Sequence, residues 1–139
     1  MKSNAQIVKE AMDVVWTQGR ADLVGDYYSE DFVANYPMTD WGEGLDGVRN
    51  LVANVRVGLP DYNEAIELLV DGGDYIVVEL FFRGTHTGPL NGMPPTGKAV
   101  AFRDVTILQL RDGKIIEQRG LTDYLTLFAQ LGVEMPASA

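Results

Sequence analysis

Near residue 60 the apolar pattern of this chain changes its period, and that change limits the folds open to it. Upstream, apolar residues recur at helical spacing. Ile7, Val8, Ala11, Met12 and Val15 follow a capping Ser3 or Asn4 and stop at Gly19; Leu23, Val24, Tyr27 and Tyr28 form a second short group. Leu45, Val48, Leu51, Val52 and Val55 form a third, over a helix from about Leu45 to Val57 that Gly58 and Pro60 end. Downstream the spacing is that of strands, over Tyr62–Val70, Asp74–Thr87, Lys98–Arg111 and Lys114–Thr122. DGGD (71–74) and RDGK (111–114) place Asp-Gly between these runs and favour tight hairpins. GPLNGMPPTG (88–97), with Pro89, Pro94 and Pro95, reads as a rigid loop. DFVANYP (31–37) reads as a brief strand broken by Pro37, and TDWGEGLDG (39–47) as a loop. A last helix, Asp123–Leu131, ends at Gly132 and leaves a frayed tail over 133–139.

Helices, then an antiparallel meander, then a closing helix is an α+β pattern. A long twisted sheet of this kind curls, and helices on its concave side leave a funnel-shaped cavity. The expected fold is therefore a cone-shaped curved antiparallel sheet with three N-terminal helices and a short C-terminal helix around a pocket. At 139 residues the chain suits one domain, 1–139, with its core at about 5–132.

Charge and composition remove several function classes. A net charge of −9 with no local Lys/Arg cluster argues against nucleic acid and anionic lipid as partners. The chain has no cysteine, so no disulfide or thiol chemistry is open to it, and one histidine argues against a His-based metal centre. The N-terminus lacks the apolar core of a signal peptide, and YIVVELFF (75–82) is short and carries Glu79. The expectation is a cytoplasmic protein that neither spans a membrane nor binds a metal.

Three stretches carry a family likeness: GTHTGPLNGMPPTGKAVAF (84–102), the hairpin DGKIIE (112–117), and D-x-L-x-L-x-x-QLG over 123–132. Together with the helix order and PDYN (60–63), they make the chain resemble the SnoaL-like polyketide cyclases of the nuclear transport factor 2-like superfamily, over roughly residues 5 to 132. The resemblance implies a cofactor-free enzyme fold with a deep apolar pocket. In the group's ring-closing members, an aspartate before the last helix serves as acid/base in an intramolecular aldol condensation, and Asp123 holds that motif position. The chain departs from the pattern twice. Glu117-Gln118-Arg119 stands where relatives read E-H-W, and Asn35 stands where an early histidine is frequent.

Read from spacing alone, Asp123 is an N-cap on the last helix, bound to the amides of Leu125 and Thr126; the resemblance implies instead an acid/base, turned inward among Leu121, Phe102 and Trp41. Arg119 either steadies an enolate oxygen or pairs with Glu117. His86 is a proton shuttle at the cavity mouth or a hydrogen-bonded structural group. Gln109 shares a face with Glu117, Arg119 and Asp123 if the RDGK turn is a bulged one of three residues, though not if it has two, and would then orient a substrate carbonyl. Asn35, Tyr36, Trp41 and Trp16 gather near the first strand as pocket walls, although Trp16 could simply pack the first helix onto the sheet.

The leading expectation is acid/base chemistry on a small, largely apolar carbonyl compound, by aldol cyclisation, isomerisation or dehydration, without a cofactor. A ligand-binding protein of the same fold is the alternative. A homodimer is expected through the outer face of the sheet, with Phe82, Leu108 and Leu110 among its residues.

Overall fold

The computed structural model describes residues 1–134. Helix α1 (Asn4–Ala11) opens with a reciprocal capping box between Ser3 and Gln6. It runs on as a π-helical turn, Met12–Thr17, which places Val15 and Trp16 in the core. Gly19, in a left-handed conformation at φ +70°, ends it. A 3-10 turn, Ala21–Leu23, leads into the single-turn α2 (Val24–Tyr27) and then β1 (Tyr28–Asn35). Helix α3 spans Gly44–Gly58. Strands β2 (Asn63–Gly72), β3 (Tyr75–Thr85), β4 (Ala99–Arg111) and β5 (Lys114–Thr122) precede α4 (Tyr124–Leu131).

The five strands form one sheet in the order β1-β5-β4-β3-β2. The α+β class and the meander from β2 to β5 are as the sequence implies. Strand β1 differs from the expected all-antiparallel sheet: it lies parallel to β5, pairing Ala34 with Gln118 and Asn35 with Arg119. It also begins at Tyr28, three residues before the start read from the sequence, because Tyr28 is buried on the sheet rather than carried on the second helix.

Alternation along the long strands sorts the faces. On β4, Val100, Phe102, Asp104, Thr106, Leu108 and Leu110 turn inward, and on β3 Ile76, Val78, Leu80 and Phe82 do so. Phe82, Leu108 and Leu110 therefore belong to the core and not to an outer contact face. The outward apolar residues are instead Leu68, Val70, Tyr75, Val105 and Leu121, the last 71% exposed.

The RDGK turn has two residues, Asp112 and Gly113, both at positive φ, the requirement of a type I′ hairpin. A bulge in β5 then pairs Leu110 with Ile115 but Gln109 with Glu117, so Gln109, Glu117 and Arg119 do share a face. That face is the outer one.

Helices α1 and α3 fill the concave side, with Val8, Val15, Val48 and Val52 all buried. Arg56 near the end of α3 donates to the carbonyls of Thr17 and Pro60 and ties the end of the π-helical turn to the start of the meander. Helix α4 covers the sheet beyond the end of β5. There the Gln130 side chain makes two hydrogen bonds of 2.8 Å to the backbone of Ala101, standing in for a missing strand. Val133 packs against the core, so the chain is still anchored there; the rest of the expected frayed tail, 135–139, lies outside the described residues.

The proline-bearing loop docks on the end of α3 through Gly88, whose N–H donates to the Gly58 carbonyl at 3.2 Å. A Cβ on Gly88 would sit 1.9 Å from the Val57 carbonyl oxygen, a backbone atom that cannot swing aside. Gly88→Ala should therefore lower stability by about 1–3 kcal/mol, read as a lower melting temperature.

Candidate active site

The concave side of the sheet encloses a cavity of about 140 Å3. Its walls are mostly apolar, from Trp16 on the π-helical turn, Leu51 and Val55 on α3, Leu80 and Phe82 on β3, Phe102 on β4 and Leu127 on α4. Trp41 closes one side, stacked on Tyr36 at 4.9 Å between ring centres and set edge-on to Trp16 at 5.4 Å. A hydrogen bond between Thr39 and Tyr124 joins the loop after β1 to α4 beside the cavity. Of the residues the sequence assigns to a pocket, Trp16, Tyr36, Trp41 and Phe102 line this one.

The remaining assignments do not reach it. Asp123 is the N-cap of α4: it accepts from the Thr126 N–H at 3.0 Å and from the Thr126 hydroxyl at 2.6 Å. Those two bonds, the hydroxyl's first, hold its carboxyl below the usual aspartate range. Of its two open readings, cap and inward acid/base, the geometry supports the cap. Arg119 stands on the outer face paired with Glu117, in solvent. Gln109 and Leu121 are on that same outer face, and Asn35 is exposed at the end of β1.

His86 is fully buried away from the cavity lining. Its Nδ1 lies 3.0 Å from the Thr96 hydroxyl and accepts from the Thr96 N–H at 3.3 Å, so the group ties the ends of the proline-bearing loop together. It belongs to the structural alternative.

Two carboxyls that the sequence reading passed over do line the cavity, Asp104 on β4 and Glu64 on β2. Asp104 accepts from the hydroxyls of Thr106 and, at 2.5 Å, Thr122. Burial raises its pKa, and these two hydroxyls work against the rise by favouring the anion. Glu64 has a different environment. One of its oxygens accepts from the Tyr62 hydroxyl at 2.6 Å, and the other, Oε2, is buried without a partner among the described residues. Burial is the main cause that pushes its pKa up to about 8; the nearby Asp104 charge adds to the rise, against the Tyr62 bond.

The pocket thus holds two carboxyls in unlike surroundings: Asp104, which accepts from two hydroxyls, and Glu64, which burial keeps protonated up to about pH 8. No Lys, Arg or His lines the cavity among the described residues, and no group of His, Cys, Asp or Glu there has the arrangement of a metal site. Asp104 was within reach of sequence reasoning. It lies two residues beyond Phe102 on the same strand face, so naming Phe102 a pocket wall implies Asp104 as well.

A cone-shaped α+β fold around an apolar pocket with two carboxyls on its wall is a scaffold suited to a small-molecule ligand. The family model of the SnoaL-like polyketide cyclases matches residues 6–131, and the chain belongs to that family. It is 28% identical over 125 residues to the aklanonic acid methyl ester cyclase AcmA of Streptomyces galilaeus, covering 87% of this chain and 85% of the relative. It is 30% identical over 121 residues to the nogalonic acid methyl ester cyclase of Streptomyces nogalater, covering 85% and 90%. Among solved structures, a SnoaL-like polyketide cyclase from Jannaschia sp. CCS1 superposes with a TM-score of 0.84 at 28% identity, covering 95% of this chain and 93% of the other. These relatives support a cyclase of the lyase/isomerase type. No helix among the described residues is long and apolar enough to cross a membrane.

Two outcomes follow from these carboxyls. Asparagine caps helices nearly as well as aspartate, so Asp123→Asn should leave melting temperature and turnover almost unchanged, whereas Asp123→Ala should lower the melting temperature alone. Glu64 holds its proton in the folded chain up to about pH 8 but releases it near 4.5 when unfolded. Stability should therefore fall as pH rises between those values, by roughly 5 kcal/mol in all. Glu64→Gln removes that loss, and its melting temperature should match wild type near pH 5 and exceed it above pH 8.

Proposed function

We propose that this chain closes a ring by intramolecular aldol condensation, with Asp104 as the base and Glu64 as the acid. The observation that carries this reading is the pairing of these two carboxyls on the walls of one apolar cavity. In the first step the Asp104 carboxylate takes a proton from the carbon next to a substrate carbonyl, leaving an enolate. The enolate carbon then attacks a second carbonyl carbon of the same molecule. A C–C bond forms, the C=O π pair moves to oxygen, and that oxygen takes the Glu64 proton. Transfer of the proton from Asp104 back to Glu64 restores the starting state, so the protons balance without a further reactant.

The placement of donors agrees with this order of events. Oxyanion stabilisation needs donors fixed where charge develops. With no cation on the cavity wall, those donors are neutral: the Glu64 acid, whose Oε2 is unpartnered, and the hydroxyls beside it. A free donor in a dry pocket has no water to compete with a substrate carbonyl, which strengthens the bond it can make.

Cavity size adds a limit. About 140 Å3 holds roughly one aromatic ring. The reacting end of the substrate is therefore ring-sized and apolar, and any larger remainder lies outside, past the exposed Asn91 at the lining's edge. The relatives are named as cyclases of methyl esters. A keto ester with a second carbonyl placed for ring closure is accordingly the substrate class for this chain.

The test is a cyclisation assay with the methyl esters of aklanonic and nogalonic acids and a single-ring keto ester carrying an aldehyde arm. Product is followed by liquid chromatography and NMR, since ring closure by aldol addition leaves the mass unchanged. Asp104→Asn should lower kcat by about 100-fold or more, and Glu64→Gln by about 100-fold, with melting curves retained. Full activity in Asp104→Asn would remove the proposed base. Tight binding of these esters by the wild type with no turnover would make the protein a ligand carrier instead.

A further inference from the structure

We infer that Asp104 is held and tuned by a one-directional relay of hydrogen bonds that begins at Trp16 on the π-helical turn, and that Tyr28, Gln118 and Tyr36 are positioning residues within it. The inference rests on Asp104 as the base but concerns residues that do not react. Its geometry is read link by link. The Trp16 Nε1–H donates to the Tyr28 hydroxyl oxygen at 3.0 Å, and the Tyr28 hydroxyl donates to Gln118 Oε1 at 3.0 Å. The Gln118 amide then donates from Nε2 to the Tyr36 hydroxyl oxygen at 3.0 Å. Tyr36 and Thr106 hydroxyls lie 2.8 Å apart. The Tyr36 oxygen already accepts from Gln118 and the single Thr106 hydrogen goes to Asp104, so Tyr36 is the donor in that contact.

The direction of every link is thereby forced from one end. Indole nitrogen can only donate, and an ionised carboxylate can only accept. Between those two ends each hydroxyl accepts once and donates once, and the Gln118 amide does both with its two ends. Aligned donors polarise one another, so each link strengthens the next and the sum favours negative charge on Asp104. Burial works the other way, so the relay offsets part of the cost of placing charge on Asp104 in a lining that also holds Phe82, Phe102 and Leu127.

Gly120 makes the room. A Cβ at that position would lie 2.6 Å from both Thr106 Oγ1 and Tyr36 Cε1. Any side chain on this stretch of β5 would push the Tyr36 ring away from Thr106 and cut the relay at that link. The π-helical turn that carries Trp16 has the same bearing, since it sets the indole N–H against Tyr28 rather than toward solvent.

The charged and titratable groups that share the cavity wall with Asp104 are Glu64 and Tyr62, from β2 and the turn before it, Tyr36 after β1, and Tyr124 on α4; β3, β4 and β5 contribute no other. A shift in the Asp104 titration on changing Tyr28, which does not line the cavity, therefore reports the relay.

The experiment is a carboxyl-carbon NMR titration of the full chain without ligand, with the Asp104 signal assigned by its loss in Asp104→Asn. Tyr36→Phe should raise the proton affinity of Asp104 by roughly threefold to tenfold, and Tyr28→Phe should raise it by a smaller factor in the same direction. Gln118→Met, which cuts the relay without touching a tyrosine, should match Tyr36→Phe if that variant folds poorly. An Asp104 titration unmoved by Tyr28→Phe would overturn the relay, whatever the melting temperatures do. Because no substrate is present, this result stands apart from the turnover of Asp104→Asn, which tests the base itself.

Discussion

A carboxylate removed from water has to be met by donors or give up its charge, and the inner face of this sheet is arranged around that demand at Asp104. Leaving such a group unpaired costs several kcal/mol, a large part of what a domain of this size has in reserve. The supply comes from Thr106 and Thr122 on either side. They reach it because β4 and β5 are paired in a register that sets Asp104 opposite Thr122 and Thr106 opposite Gly120. A shift of one residue between these strands would turn Thr122 outward and leave Asp104 with Thr106 alone, its neighbour two residues on along β4. The β5 bulge and the two-residue Asp112-Gly113 turn hold that register at the hairpin end, and α4 closes the other end through Gln130 and the Asp123 cap.

Glu64 shows the opposite outcome of the same physics. With one donor from Tyr62 and an unpartnered second oxygen, it has too little to hold its charge and keeps its proton instead. The two carboxyls of the lining thus stand in different surroundings, Asp104 accepting from two hydroxyls and the Glu64 carboxyl, more deeply buried, from one.

The family likeness and this site meet at an instructive point. The motif around Asp123 marks the chain as a SnoaL-like cyclase over residues 6–131, yet the Asp123 side chain closes a helix in solvent. Its backbone N–H donates to the Arg103 carbonyl, which fixes where α4 departs from the sheet. The residue matters to the pocket by seating α4, with Tyr124 and Leu127 on the lining, rather than by entering it. Arg119 and Gln109 are displaced for a related reason. The β5 bulge puts them on one face, as the sequence allowed, but that face is the convex one.

What the chain's own order of residues determined was the class of fold and its elements. The change from helical to alternating spacing near residue 60, the Asp-Gly turns and the left-handed Gly132 stop are local effects that need no partner to be read. Tyr36, Trp41, Trp16 and Phe102 as pocket walls were also legible, because large aromatics near a strand and a glycine-bearing loop have few other uses. Which face of each strand looks inward was not, since alternation gives two equivalent answers until curvature and covering helices choose one. That choice put Asp104 and Glu64 on the cavity wall, while Asp123 caps α4 outside it. The joining of Trp16 to Asp104 through Tyr28, Gln118, Tyr36 and Thr106 depends on residues up to 90 positions apart. Only the packed structure brings them within hydrogen-bond reach, because contact across a sheet is set by register and bulge, and neither is encoded in any single stretch of the chain.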